Sequence, residues 1–169
     1  MRIRLAGHED IPALMAPLRR VVPLMIASGN LQWDDGYPNE SVFERDIYLG
    51  QLWVADAETA IAGVAAITMD QDADYAQVGW DIDEPAIVVH RLAVDPVFRG
   101  TGIARALMQK AEEVAVERGL GILRVDTNTQ NQATQKLFPQ LGYQLAGEIS
   151  LQFRPGLRFF CYEKRLQKK

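Results

Sequence analysis

The chain has 169 residues, 48% of them hydrophobic and 24% charged. That composition predicts one globular domain over 1–169 and excludes a disordered chain or a multidomain assembly. A formal charge of -4, from 22 acidic and 18 basic side chains, argues against a general nucleic-acid binder. The charge is unevenly divided: residues 30–95 carry 14 acidic side chains against two basic ones, and residues 96–169 carry 12 basic against six acidic.

The opening MRIRLAGHED lacks the basic and then apolar order of a secretory leader, and no apolar run approaches the ~20 residues that span a bilayer. A single cysteine, Cys161, has no intrachain disulfide partner. A soluble, cytoplasmic protein without membrane or nucleic-acid partners is expected.

Arg2, Ile3, Arg4 and Leu5 alternate as in a short strand. A helix follows, capped at Asp10, with Pro12 in its first turn. Its stripe of Ile11, Leu14, Met15, Leu18, Val21 and Val22 is expected to stop at Pro23. The polar stretch SGNLQWDDGYPNE reads as a candidate substrate loop, before a second short helix over 40–49.

Residues 52–55 and 60–68 read as strands around a polar turn, and 86–94 as a third. Between them, Asp70, Asp72 and Asp74 imitate the start of a calcium loop. Tyr75 stands where that loop needs glycine, however, and residue 81 is Asp where it needs Glu, so a solvated loop is expected. Two histidines and one cysteine argue against zinc, and no metal is expected.

The clearest helix covers 101–118, with Ile103, Ala104, Leu107, Met108, Ala111, Val114 and Ala115 on one stripe. Gly119 and Gly121 end it. A strand over 122–127, a helix over 130–141 and a further strand follow. Residues 149–153 and 157–166 then form a hairpin around RPG, or two strands separated by it. An aromatic-rich edge in this last region would need covering, by the monomer itself or by a homodimer partner.

The chemically informative segment is HRLAVDPVFRGTGIARALMQKAEE. A strand ends near Val94, Asp95 and Pro96 turn the chain, and RGTGIA opens the long helix. The unpaired amides of Gly100, Thr101, Gly102, Ile103, Ala104 and Arg105 form an anion site, and Arg99 and Arg105 flank it for a diphosphate. No nucleotide P-loop motif occurs, and GTGIARA departs from the dinucleotide fingerprint at its third glycine.

The order RLAVDPVFRGTGIARALMQKAEE, then LRVDTNTQNQATQKLFPQLGYQ, resembles the GNAT superfamily of acyl-CoA-dependent N-acyltransferases. Arg99, Gly102 and Ala104 match its signature, and Asn131, Ala133, Leu137, Phe138, Leu141, Gly142 and Tyr143 follow at the family's distance. The resemblance covers essentially the whole chain. It implies an α/β (α+β) fold in which a central, mixed, strongly bent sheet is flanked by helices. Acetyl-CoA is expected where two parallel central strands splay.

By that resemblance, the backbone of Leu92 and Val94 holds the pantetheine arm and residues 99–105 hold the pyrophosphate. Asn131 hydrogen-bonds the cofactor, and Phe138 packs near its thioester. The implied reaction is direct attack of a neutral amine on the acyl carbonyl. Phe138 replaces the family's common tyrosine acid, leaving Tyr143, Tyr75, Tyr37 or water as alternatives.

His90 is the titratable candidate base, expected to share a strand face with Leu92 and Val94. Asp126 is expected to orient or balance His90 or Arg91, and Glu84 or Asp83 are candidates for a water-mediated base. Trp33, Tyr37 and Trp80 are candidate walls of the acceptor pocket, and Cys161 reads as a buried or interface thiol. The acceptor is a small amine or amino acid, with a protein amine or a noncatalytic CoA-binding role as alternatives. The division of charge predicts an acidic acceptor side suited to a cationic amine.

Overall fold

The computed structural model describes residues 1–167. Its elements, in chain order, are β1 (Arg2–Leu5), α1 (Ile11–Ala27), α2 (Glu40–Tyr48), β2 (Leu52–Asp56), β3 (Ile61–Thr68) and β4 (Ile87–Val94). They continue with α3 (Ile103–Glu117), β5 (Ile122–Asn128), α4 (Gln132–Gln140), β6 (Gln144–Ser150) and β7 (Arg158–Arg165). The seven strands form one sheet in the order β1-β2-β3-β4-β5-β7-β6. Only β4 and β5 pair in parallel, because α3 carries the chain between them; every other neighbouring pair is antiparallel.

Two hydrophobic layers sandwich the sheet. On one face Ile103, Leu107, Met108, Ala111 and Val114 of α3 pack against Ala65, Ile67, Ile87, Val89, Leu123 and Val125. On the other, Leu14, Leu18, Val21 and Val22 of α1 and Phe43 of α2 cover Leu52, Val54, Val64 and Ala66. A third cluster, built on Tyr75, Val88, Ile149, Phe159 and Cys161, lies beneath the acidic loop.

Several expected boundaries change. Helix α1 runs through Pro17 and Pro23 to Ala27; the backbone hydrogen bonds lost at proline are offset by the apolar face it buries on the sheet. Helix α3 begins at Ile103 rather than Thr101, because Gly100 and Gly102 adopt left-handed φ values of 77° and 83°. The last hairpin joins β6 to β7, so Phe153 belongs to the connecting loop and is 52% exposed. Aromatic β7 is interior, covered by β6, which is itself the edge strand. Of the two expected ways of covering the aromatic strand, the chain itself supplies one, through β6.

The acidic stretch also differs from a merely solvated loop. Residues 73–78 form a short 3₁₀ segment that inserts Tyr75, 0% exposed, into the third cluster. Fully buried Arg124 rises beneath it, donating to Glu163, to the Gln71 side chain and to the Asp81 carbonyl, with Trp80 stacked 4.8 Å from the guanidinium. Hydrogen bonds from a buried charge to loop carbonyl and amide groups give this segment a fixed path.

Candidate active site

The site originates in an irregularity of β4. Val64 pairs with Ala93 and Ala66 with His90, so two residues of β4, Arg91 and Leu92, face the single residue Ala65. Arg91 takes a φ of 54° at this bulge. The extra residue reverses the alternation of side chains beyond it. Leu92 and Val94 join Val89 on the α3 face, whereas His90 turns towards the loop after β3 and Arg91 towards α2. The expected common face for His90, Leu92 and Val94 is corrected accordingly.

Parallel pairing stops at the same place: Ile87, Val88 and Val89 match Leu123, Arg124 and Val125, and no later pair forms. The β5-facing backbone groups of His90 to Val94 are thereby left without a strand partner. A cleft of about 840 Å³ opens between the diverging strands. Its walls are His90 to Val94 of β4, Val125 to Thr127 of β5, the α3 entrance, the start of α4, and the end of α1 with the following Asn30 and Trp33.

At the α3 entrance, Arg99, Gly100, Gly102, Ile103, Ala104 and Arg105 all line the cleft. A Cβ placed on Gly100 or Gly102 would meet no atom within 4 Å, so the space over this turn is open and the glycines are required by their φ values. The amides of the first helical turn face that space, as an anion-binding helix start requires. Thr101 plays a different part: its hydroxyl donates to the Phe98 carbonyl at 2.5 Å and closes the turn, and it does not line the cleft. The turn is tied to α1 by Arg20, which pairs with buried Asp95 through both carboxylate oxygens.

Asn131 is the cap of α4, not a residue inside the helix. Its Oδ1 accepts the Thr134 amide at 3.2 Å, and among the described residues its Nδ2 has no acceptor. Phe138 lines the cleft and is 1% exposed, its ring lying 5.9 Å from Tyr143 and 5.4 Å from Tyr162. Tyr143 packs on Phe138 without joining the cleft lining; its phenol is buried without a hydrogen-bond partner, and burial pushes its pKa up. It is not placed to protonate a leaving group in the cleft.

Glu84 also stands apart. It lies near the N-terminal end of β4, accepts from Arg165 at 3.1 Å, and is not among the lining residues. His90 does line the cleft. Its Nε2 lies 2.9 Å from the Asp70 carbonyl, an acceptor only, so Nε2 carries the proton and donates it. Asp126 bonds neither His90 nor Arg91; its Oδ2 accepts from the Tyr75 hydroxyl at 2.5 Å. Arg91 is instead gripped by Asp46, with Tyr37 accepting a further bond at 3.3 Å.

Of the three candidate wall aromatics, Trp33 lines the cleft. Tyr37 supports Arg91 from behind, and Trp80 covers Arg124. The expected acidic acceptor side does not form there. Asp34, Asp46, Asp56 and Asp95 are each paired with an arginine, and among the described residues Asp126 is the single carboxylate in the lining. Arg99 and Arg105 make the α3 entrance of the cleft basic, whereas the charge of Arg91 is balanced by Asp46. The wall supplied by Val21, Met25 and Asn30 is hidden in the sequence, because Pro23 looks like a helix stop and α1 continues through it to Ala27.

Comparison with known proteins agrees with this geometry. A family model described as the acetyltransferase (GNAT) family matches residues 21–143, and the chain belongs to that family. It is 28% identical over 106 residues to an N-acetylaspartate synthetase from Danio rerio, covering 63% of this chain and 34% of the relative. To the Homo sapiens N-acetylaspartate synthetase it is 27% identical over 113 residues, covering 67% and 34%. The chain thus spans about a third of the length of these curated relatives.

Among solved structures, a GNAT-family acetyltransferase from Streptococcus agalactiae superposes with a TM-score of 0.83 at 28% identity, covering 99% of this chain and 96% of the other. The yncA protein of Salmonella typhimurium, solved with its cofactor acetyl-CoA, shares the fold at a TM-score of 0.70 and 19% identity, covering 100% and 95%. Among the described residues no helix is long and apolar enough to cross a membrane, and no group of three or more His, Cys, Asp or Glu side chains is arranged to hold a metal ion.

Proposed function

We propose that this chain transfers the acetyl group of acetyl-CoA to the primary amine of a small molecule or amino acid, by direct attack within a ternary complex. The observation that carries the reading is the coincidence of two features: β4 and β5 part immediately after Val89 and Val125, and the left-handed Gly100 to Gly102 turn opens α3 at the mouth of that gap.

The residues present fit the cofactor. The open turn at 100–105, with Arg99 and Arg105, suits the pyrophosphate; the free backbone of Leu92 and Val94 suits the amides of the pantetheine arm; and the Asn131 Nδ2 is a donor to that arm. When bound, acetyl-CoA supplies an activated acyl group. The chain orients it against the acceptor, and an unpaired β4 amide stabilises charge developing on the carbonyl oxygen. Phe138 has no proton to donate. A thiolate is a much weaker base than an alkoxide or an amide anion, so it is a tolerable leaving group without an obligate side-chain acid.

The acceptor proposed here carries an anionic group beside its amine. An amino acid meets that description, and the similarity to N-acetylaspartate synthetases supports it. The test is acetyl-CoA turnover with amino acids, their decarboxylated counterparts, polyamines and short peptides, with products identified by mass spectrometry. Amino-acid amides are the expected products. Preferred acetylation of peptides would move the assignment to a protein acceptor, and cofactor binding without any product would make the chain a noncatalytic CoA-binding domain.

A further inference from the structure

Asp126 follows Val125, the last β5 residue paired with β4, and His90 follows Val89, the last β4 residue of the same pairing. The two side chains stand at the apex where the strands part, and both line the cleft. Their surroundings differ. His90 is anchored through its Nε2 proton to the Asp70 carbonyl. One oxygen of Asp126 is fixed by the Tyr75 hydroxyl, and among the described residues its second oxygen has no donor. Tyr75 comes from the 3₁₀ segment of the acidic loop and is wholly buried against Val88, Phe159 and Cys161. The phenol therefore sets which carboxylate oxygen remains available.

We propose that Asp126 accepts the proton of the acceptor ammonium, with Tyr75 as the positioning residue that aims its free oxygen into the cleft. The inference rests on the acetyltransferase reading and deepens it. Asp126 is the single carboxylate of the lining among the described residues, and so the one group there that both attracts an ammonium and takes its proton. The charged and titratable groups around it are Tyr75 and Asp72 from the acidic loop, His90 from β4 and Cys161 from β7. Burial raises the proton affinity of Asp126, while the Tyr75 hydrogen bond and nearby His90 work the other way. A raised affinity suits a general base better than an ordinary surface carboxylate.

The step balances as follows. The ammonium gives one proton to the Asp126 carboxylate, and the neutral amine forms a C–N bond to the acetyl carbonyl. The C–S bond then breaks with its electron pair on sulfur. The second nitrogen proton passes to the thiolate to give the free thiol, and Asp126 returns its proton to water.

The test is the pH dependence of kcat/KM for the wild-type protein, Asp126→Asn, Tyr75→Phe and His90→Gln, with CoA affinity and thermal unfolding measured alongside. Asp126→Asn is expected to lose on the order of 10² to 10⁴ in kcat/KM and to lose the acid limb of the profile. Tyr75→Phe keeps the limb but moves it to higher pH, because it removes a bond that favours the ionised carboxylate. His90→Gln keeps the limb and moves it the same way. An acid limb retained in Asp126→Asn, abolished in His90→Gln, or left in place by Tyr75→Phe overturns the inference while leaving the acetyltransferase reading intact. No amide from the wild-type protein with any amine overturns both.

Discussion

Arg91 holds both carboxylate oxygens of Asp46, Nε to Oδ2 at 2.7 Å and Nη2 to Oδ1 at 2.8 Å. The fork joins α2 to the very residue whose φ of 54° makes the β4 bulge. Asp46 is buried, so removing either partner strands a charge away from water. Asp46→Ala and Arg91→Ala are each expected to cost about 3–5 kcal/mol in urea unfolding, with the double variant destabilised by less than the sum. Additive losses would show that the pair does not act as a unit.

Two glycines, one in the turn proposed to hold the pyrophosphate and one packed behind it, are predicted to fail in different ways. Gly102→Ala meets no atom within 4 Å, so its cost of roughly 1–2 kcal/mol is backbone strain at a φ of 83°. It should weaken CoA binding, because relief of that strain turns the α3 amides away from the ligand. Gly63→Ala places its Cβ 2.7 Å from Ile103 Cγ2 and 3.0 Å from the Ala93 carbonyl. Crowding of this kind lowers stability by about 1–3 kcal/mol. Calorimetric titration with CoA and thermal unfolding of both variants separate the two effects.

Stability should respond to pH with opposite signs at two aspartates. Arg20 beside Asp95 holds its carboxyl below the usual range. Its contribution is present above the ordinary carboxylate pKa of about 3.9 and is lost as pH falls through the lower folded value. Asp126 is raised, chiefly by burial. Its contribution is full below the ordinary value and is lost as pH rises through the folded one. Asp95→Asn should therefore flatten the acid side of a stability profile. Asp126→Asn should be at least as stable as the wild type at neutral pH, a result readable in thermal unfolding.

Cys161 lies in the third cluster with its thiol pushed well up, first by burial and then by Asp126 and Asp72. A thiol kept protonated and covered reacts slowly with a disulfide reagent. Labelling is expected to follow global unfolding, and rapid labelling of the native protein would contradict the placement.

What the sequence disclosed was what short-range pattern controls. The three- and four-residue spacing from Ile103 to Ala115 marked α3, and GTG marked the turn before it, since glycine at positive φ is a local requirement. The bulge at Arg91 left no such mark, because an arginine within an apolar run reads like any other strand residue. It reversed the facing of His90 relative to Leu92. The Tyr75 to Asp126 bond joins residues 51 positions apart, and the burial of Arg124 depends on a loop 43 positions away. Such contacts are decided by tertiary packing. Glu84 and Tyr143 are close in sequence to cleft residues, but packing puts both outside the cleft lining.

The most direct test of the central claim follows carbon-13-labelled acetyl-CoA with matched amino acids and amines in one reaction, counting labelled amide against released CoA. The account predicts acceptor-dependent release, one labelled amide for each CoA, and faster turnover of amino acids than of the same amines without a carboxylate. Stoichiometric CoA binding at the cleft with no labelled amide from any acceptor would contradict it.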